Sequence, residues 1–319
     1  MRIRAAFLGS PAFAVPSLRA LVAAHDVALV LTQPDRRLGR GLQVVPTAVR
    51  IAATELGIPV RNYDPTERSA IESELASLRL DVLVVVAFGH ILRQTTWETA
   101  RLGAINVHAS LLPRWRGASP IEHALLAGDA VSGVSLMVIE RGLDSGPVLA
   151  QQSIPILPTD TRLTLTASLA EAGATLLRRE IEPFVQGRLR PVPQDARGVT
   201  LAPELLKDAG WIDWSRDAAS LERQVRALLG WPGAVTSLHG RRLKLHAARI
   251  VDAATQAAPG TVVQADMKHG VHVACGSGTL ELVRVQLAGK ASTEATMLVQ
   301  GRQLHRGTRL GTETREELP

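Results

Sequence analysis

The 319-residue chain is long enough for about two domains of ordinary size, and its 46% apolar and 21% charged residues describe folded cores and exclude a disordered chain. No apolar run approaches the roughly 20 residues that span a bilayer, and the short stretch after Met-Arg-Ile-Arg lacks a signal peptide's long core, so neither a membrane span nor an export leader is expected. The net charge of +6 suits a polyanionic partner without requiring one; it is spread evenly, with 20 arginines against 17 acids in residues 1–190 and 16 basic against 13 acidic residues in 191–319. The single cysteine, Cys275, excludes an internal disulfide and fits a reducing cytoplasm.

The first 190 residues alternate apolar runs with amphipathic stretches. Ile3–Leu8 reads as a strand and Val15–Ala24 as a helix, with Leu18, Leu21 and Val22 on one face. Val27–Leu31 follows as a strand, then Ala48–Leu56 and Glu67–Leu78 as helices. Asp81–Val86 is a continuous apolar run, the signature of a central strand buried on both faces. Ala104–His108, Gly133–Ile139 and Val148–Ile154 are further strands, and Thr161–Val185 is a long helix. This alternation predicts an α/β domain, Rossmann-like, with a doubly wound and mostly parallel sheet over residues 1–190, whose ligands sit at the carboxyl ends of the strands.

Pro and Gly interrupt the pattern over 191–210, which is expected to be a linker. Beyond it, one helix, Ala218–Leu229, precedes short β-like runs at Ala234–Leu238, Leu243–Ile250, Gly260–Val263, Val271–Ala274 and Leu280–Val285. Short strands separated by turns predict a small β-barrel or sandwich over 211–319.

Asn106 and His108 lie two apart at the end of an apolar strand, so they share a face with Cα atoms roughly 6.5 Å apart. An amide donor beside an imidazole suits a carbonyl whose oxygen gains negative charge. The same pair could simply satisfy backbone groups at a strand end. Asp144, in Gly142-Leu-Asp-Ser-Gly146, is either turn chemistry or a carboxylate held over a pocket. Gln33-Pro-Asp-Arg-Arg-Leu-Gly-Arg-Gly41 is a basic loop able to grip phosphate, or a solvated one. Gly9-Ser-Pro11 is not the glycine fingerprint of a dinucleotide site, and Pro11 removes a donor that a phosphate cradle would use. The histidines at 239, 246, 269, 272 and 305 have no metal-site spacing, and no metal is expected.

Together these segments resemble the methionyl-tRNA formyltransferase family, over almost the whole chain. The resemblance rests on Asn106-Val-His-Ala-Ser-Leu-Leu-Pro-Arg-Trp-Arg-Gly-Ala-Ser-Pro120 with Gly142-Leu-Asp-Ser-Gly146, a pairing shared by enzymes that use 10-formyltetrahydrofolate. The features particular to this family are the Gln33–Gly41 loop, Ile212-Asp-Trp214, Trp231-Pro232, Ala258-Pro-Gly-Thr261 and Gln286-Leu-Ala-Gly-Lys290. The resemblance implies a Rossmann-like catalytic domain followed by an OB-fold-like β-barrel that binds tRNA. It implies a catalytic trio of Asn106, His108 and Asp144, and folate binding by Ser110, Leu111, Leu112 and Pro113 with Phe88 and Gly89. It implies tRNA contacts at Arg36, Arg37, Arg40, Lys207 and Lys290. The co-substrate would be 10-formyltetrahydrofolate and the acceptor methionyl initiator tRNA, for a cytoplasmic enzyme expected to be a monomer. The chain departs from the pattern at Arg37 and Arg93, where the family usually has proline, at Leu42-Gln43, where it is often basic, and at Leu201 and Glu204, where it has tyrosine and lysine.

Three alternatives remain at this stage. A related formyltransferase could act on an amino-sugar nucleotide or a ribotide, a folate hydrolase could use water as acceptor, and an RNA-binding protein could use the barrel without catalysis. The catalytic trio argues against the last. The second domain argues against small acceptors.

Overall fold

A computed structural model describes residues 2–38, 43–252 and 255–312. Two compact units emerge. The first comprises Met1–Ile121, Ala130–Ile156 and Leu165–Pro203; the second comprises Glu122–Asp129, Leu157–Thr164 and Glu204–Pro319.

The first unit opens with β1 (Arg4–Gly9), α1 (Val15–Ala24) and β2 (Asp26–Thr32). A short ribbon of β3 (Arg36–Leu38) and β4 (Gln43–Val45) follows, then α2 (Ala48–Glu55), β5 (Val60–Asn62) and α3 (Arg68–Ser77). Next come β6 (Val82–Val86), the single-turn α4 (Gln94–Trp97) and β7 (Ala104–His108). After them come α5 (Pro120–Ala127), most of which belongs to the second unit, then β8 (Val131–Val138), β9 (Val148–Pro155) and the long α6 (Arg162–Val185). The sheet order is β5-β2-β1-β6-β7-β8-β9. The pairings from β5 to β7 are parallel, whereas β8 and β9 add antiparallel strands at one edge. Sequence alternation therefore reads the wound part correctly.

All five residues of β6 are buried, as its unbroken apolar run requires. The chain winds outward from β1 to β2 and β5 on one side and to β6 and β7 on the other, so the carboxyl ends of β1 and β6 form the crevice where such sheets bind ligands. Gly173 lets α6 lie against β7, since a Cβ there would come within 2.9 Å of Val107 Cγ1. That packing holds Val107 inward at 2% exposure, while its neighbours Asn106 and His108 alternate to the other face.

The second unit carries α7 (Ala218–Ala227), then β10 (Ala234–Leu238), β11 (Arg241–Val251), β12 (Val262–Asp266), β13 (Gly270–Ala274) and β14 (Thr279–Leu287). The pair Thr293–Glu294 (β15) and the short α8 (Thr296–Gln300) complete its regular structure. The sheet is antiparallel throughout, in the order β10-β11-β14-β13-β12, with β15 against β14. Residues 307–311 reach both edge strands: Val262 donates to Thr308 O, Gly307 donates to Val262 O, and Gly311 donates to Ser237 O of β10. Edge groups that would otherwise invite another chain are thereby paired.

Trp214 enters the core of this unit at 5% exposure, and its indole N–H donates to Thr236 Oγ1 at 3.0 Å. A Cβ on Gly260 or Gly311 would stand 3.3 or 3.0 Å from the same ring. Two segments of the sequence resemblance, Ile212-Asp-Trp214 and Ala258-Pro-Gly-Thr261, thus meet as one packing unit. Among the described residues, no helix is long and apolar enough to cross a membrane.

Candidate active site

The carboxyl end of β7 presents Asn106 and His108 on one face. Asn106 is half-buried, and its side-chain amide has no hydrogen-bond partner among the described residues. His108 is 6% exposed, and both of its ring nitrogens face protein groups. Nε2 lies 2.9 Å from the carbonyl of Trp115. A carbonyl can only accept, so Nε2 carries a hydrogen. Nδ1 is left facing Asp144, 3.6 Å from Oδ2. That separation allows a charge interaction but exceeds a direct hydrogen bond.

Asp144 reaches this position from the loop between β8 and β9. Its Oδ2 also accepts a hydrogen bond from the Gly117 N–H at 2.9 Å. Asp144 and Trp115 both hold left-handed backbone, with φ of 46° and 62°. Such a conformation costs a non-glycine residue about 1–2 kcal/mol, and it is found where surrounding contacts compensate. Here it points the Trp115 carbonyl and the Asp144 carboxylate at opposite nitrogens of one imidazole. The glycines bracketing Asp144 have steric reasons: Gly142 has φ of 111°, and a Cβ on Gly146 would collide with the Val138 carbonyl at 1.9 Å. The Arg114 guanidinium lies over the Trp115 ring at 4.2 Å.

The segment Ser110–Pro113 is fixed by a polar network. Ser110 Oγ donates to Arg114 O at 2.6 Å. Ser135, on β8, donates to Ser110 O at 2.7 Å and accepts from the Leu112 N–H at 3.0 Å. Gln151, on β9, donates to Leu112 O at 2.9 Å and to Ser135 Oγ at 2.8 Å. Ser135 and Gln151 escape the sequence reading. The available signal was a hydroxyl within the otherwise apolar run Val134-Ser-Leu-Met137, where Ser135 proves fully buried.

Phe88 and Gly89 lie just beyond β6 in the crevice. The Phe88 ring is 2% exposed and packs edge-on against Tyr63, centroids 5.1 Å apart, so its backbone faces the polar groups. The Phe88 carbonyl accepts from Gln33 Nε2 at 3.1 Å and from Ser10 Oγ at 3.4 Å. Gly89 holds left-handed backbone at φ of 82°, and a Cβ there would displace the tip of the Gln33 side chain, whose Nε2 lies 2.1 Å from its position.

Arg36 and Arg37 lie on β3, paired with β4, and Asp35 at the root of the ribbon is ion-paired to Arg50 at 3.0 Å. Arg40 lies outside the described residues, as do Gly39, Gly41 and Leu42. In the second unit, Lys207 and Lys290 are exposed. A set of cations that no sequence motif marks lies on the outer sheet face. With Leu243 and Leu245 buried, Arg242 and Lys244 alternate outward on β11. Register then places Gln286 opposite Lys244 and Arg284 opposite Ala247 on the same face. Among the described residues, no group of three His, Cys, Asp or Glu side chains could hold a metal ion.

The pattern of the family described as "Formyl transferase" matches residues 3–181, and that of "Formyl transferase, C-terminal domain" matches residues 204–303. A methionyl-tRNA formyltransferase of Gluconacetobacter diazotrophicus is 45% identical over 315 residues, covering 97% of this chain and 100% of that protein. One from Gluconobacter oxydans is 44% identical over 311 residues, again covering 97% of this chain and 100% of that protein. Among solved structures, HypX from Aquifex aeolicus in complex with tetrahydrofolic acid superposes with a TM-score of 0.64 at 19% identity, a likeness of fold alone. That match covers 95% of this chain and 48% of HypX, so the chain spans about half the length of that protein. By its full-length relatives and by both matched domains, the chain belongs to the methionyl-tRNA formyltransferase family.

Proposed function

We propose that the protein transfers the formyl group of 10-formyltetrahydrofolate to the α-amine of methionyl initiator tRNA, as a cytoplasmic monomer serving translation initiation. The observation that carries the chemical reading is the unpaired Asn106 amide, beside an imidazole anchored through Nε2 whose Nδ1 faces a carboxylate. The folate carrier supplies an activated formyl group, and the amine of the methionyl ester is the nucleophile.

Asn106 donates a hydrogen bond to the formyl oxygen as it gains negative charge. His108, anchored through Nε2 to Trp115 O, stabilises that charge from a fixed position. Asp144 faces the imidazole and takes up, through water, the proton that the attacking amine must lose; the bond from the formyl carbon to the carrier's N10 then breaks, and N10 leaves with that proton as tetrahydrofolate. Ser110–Pro113, Phe88 and Gly89 are proposed to bind the folate. Their backbone is held in place by the bonds from Ser135, Gln151 and Gln33, and a lining of fixed shape supports the fit to a planar heterocycle. Arg36, Arg37, Arg40, Lys207 and Lys290 are proposed to bind tRNA phosphates, together with Arg242, Lys244 and Arg284. Residues 1–190 would form the catalytic domain, 191–210 a linker and 211–319 the tRNA-binding domain.

The test is formyl transfer from 10-formyltetrahydrofolate to charged initiator tRNA, with uncharged tRNA, an amino-sugar nucleotide and water as competing acceptors. Transfer to the charged tRNA alone is expected. Formyl transfer to the nucleotide, or folate hydrolysis without tRNA, would overturn the acceptor assignment and leave the Asn106–His108–Asp144 chemistry in place.

A further inference from the structure

Residues 192–202 run beside the loop that carries Trp115 and Gly117, interrupted by one 3-10 turn at Ala196–Gly198. The run is stitched at both ends. Val192 and Val148 exchange two backbone hydrogen bonds of 2.8 Å. Further along, Arg116 donates to Thr200 O at 2.9 Å, and Ala202 donates to Arg116 O at 2.7 Å. The Thr200 hydroxyl also accepts from the Trp115 N–H at 2.8 Å.

Between these ends, Gln194 turns its side chain towards the Asp144 loop. Its Oε1 accepts from both Nε and Nη2 of Arg116, at 2.9 and 2.8 Å. Its Nε2 donates to the carbonyls of Asp144 and Gly146, at 2.8 and 2.7 Å. A guanidinium offers only hydrogens and carbonyls offer only lone pairs, so the amide can face these partners in one orientation. Both hydrogens and both lone pairs of the amide are used.

The result is a closed ring. Arg116 grips Gln194, Gln194 grips the backbone on both sides of Ser145, and Gly117, next to Arg116, donates to the Asp144 carboxylate. The left-handed Asp144, at φ of 46°, is held by these bonds in the position that faces His108. Among the described residues, no group other than Gln194 bonds the Asp144 carbonyl.

We propose that Gln194 is a positioning residue for formyl transfer: its amide group sets the Asp144 carboxylate against His108 by hydrogen-bonding the Asp144 and Gly146 carbonyls while Arg116 holds its oxygen. This rests on the catalytic reading of Asp144 given above. It assigns to the stretch after α6 a task at the reacting centre in addition to joining two parts of the chain.

Gln194→Glu isolates the amide's donors. The carboxylate keeps the side-chain length and its acceptors for Arg116, and loses the hydrogens that the two carbonyls require. With 10-formyltetrahydrofolate and charged initiator tRNA, kcat is expected to fall on the order of 10-fold to 100-fold, the scale of a misplaced catalytic group. KM for both substrates and the thermal midpoint are expected to stay near those of the parent enzyme. Adding Gln194→Glu to Asp144→Asn should then cost less than about three-fold more, because the carboxylate being positioned is already gone.

Normal kcat in Gln194→Glu would overturn the proposal. So would losses that multiply in the double variant, or a parallel rise in KM and fall in thermal midpoint. Asp144→Asn alone keeps the two readings apart. If that variant turns over normally, the catalytic assignment of Asp144 fails and the positioning role falls with it. If it is impaired while Gln194→Glu is not, only the positioning role fails.

Discussion

The two units use polar groups in opposite ways. In the first, polar side chains in or beside the sheet are buried or half-buried and are bonded to backbone: Ser135 to Ser110 and Leu112, Gln33 to Phe88, His108 to Trp115. In the second, the cations of the outer sheet face point away from an apolar core that contains Leu243, Leu245, Leu280 and Val285. Chemistry at one carbonyl needs atoms fixed to within a fraction of an ångström, and only networks anchored in backbone provide that. Contact with a polyanion needs charge on the correct face and tolerates mobile side chains. Substitutions should therefore act on rate in the first unit and on salt-dependent affinity in the second.

The largest effect is expected at Asn106. Asn106→Ala should lower kcat by about 10²–10³ at saturating folate, as the loss of one oxyanion donor does. Steady-state turnover near that of the parent enzyme would remove Asn106 from the chemistry and break the comparison at its first term. Ser135→Ala should destabilise the protein by about 1–3 kcal/mol in urea unfolding, because the Leu112 N–H and the Ser110 carbonyl lose their buried partner. It should also raise KM for folate more than KM for tRNA. An unchanged unfolding midpoint would mean that water replaces the hydroxyl.

On the other side of the comparison, Lys244→Ala and Arg284→Ala should each leave kcat intact at saturating tRNA. Each should reduce the slope of log affinity against log salt by roughly 0.7–0.9, one phosphate contact apiece. A fall in kcat without a change of slope would give these residues a role other than binding phosphate.

The smallest effect concerns pH. In the first unit, burial lowers the pKa of His25 from its usual 6.5. The unfolded chain then binds the proton more readily, so the stability that neutral His25 contributes is complete above pH 6.5 and is lost as pH falls through that value towards the lower folded pKa. In the second unit, burial pushes the Cys275 thiol up to about 11. Cys275 should thus alkylate only when its unit opens. Thermal midpoints at pH 7.5 and 5.5 should differ less in His25→Leu than in the parent chain. Identical pH sensitivity in both would place the titration elsewhere.

The sequence made different parts of this arrangement visible for physical reasons. Continuous burial wrote β6 as an unbroken apolar run, and helical periodicity wrote α1 to its observed ends, Val15–Ala24. The three-residue β5 carries too few residues for a period, and α5, after Ser119-Pro120, hides within the motif-rich segment. Asn106 and His108 were legible as a pair because a strand repeats every two residues. Their relation to Asp144 was legible only through the family resemblance and not from spacing, since it is made by a loop 36 residues further along whose bond to Gly117 leaves no local pattern. Gln194 was less visible still. It is one amide among prolines, and its partners belong to two other segments. Charge on the outer sheet face was hidden by an even distribution of basic residues, and it became a face only once the register of β11 and β14 was known.

The second unit includes residues 122–129 and 157–164, which precede most of α6 in the chain. They supply backbone that its own arginines use: Arg223 donates to Leu126 O at 3.2 Å and Arg226 to Asp160 O at 2.7 Å, while Arg162 donates to Leu229 O at 2.9 Å. A fragment starting at Glu204 would lose all three contacts. In inheritance, no single crossover point can exchange the second unit whole, because part of it is encoded ahead of residues that belong to the first. During synthesis, those two pieces leave the ribosome first and must wait for the partners that complete them.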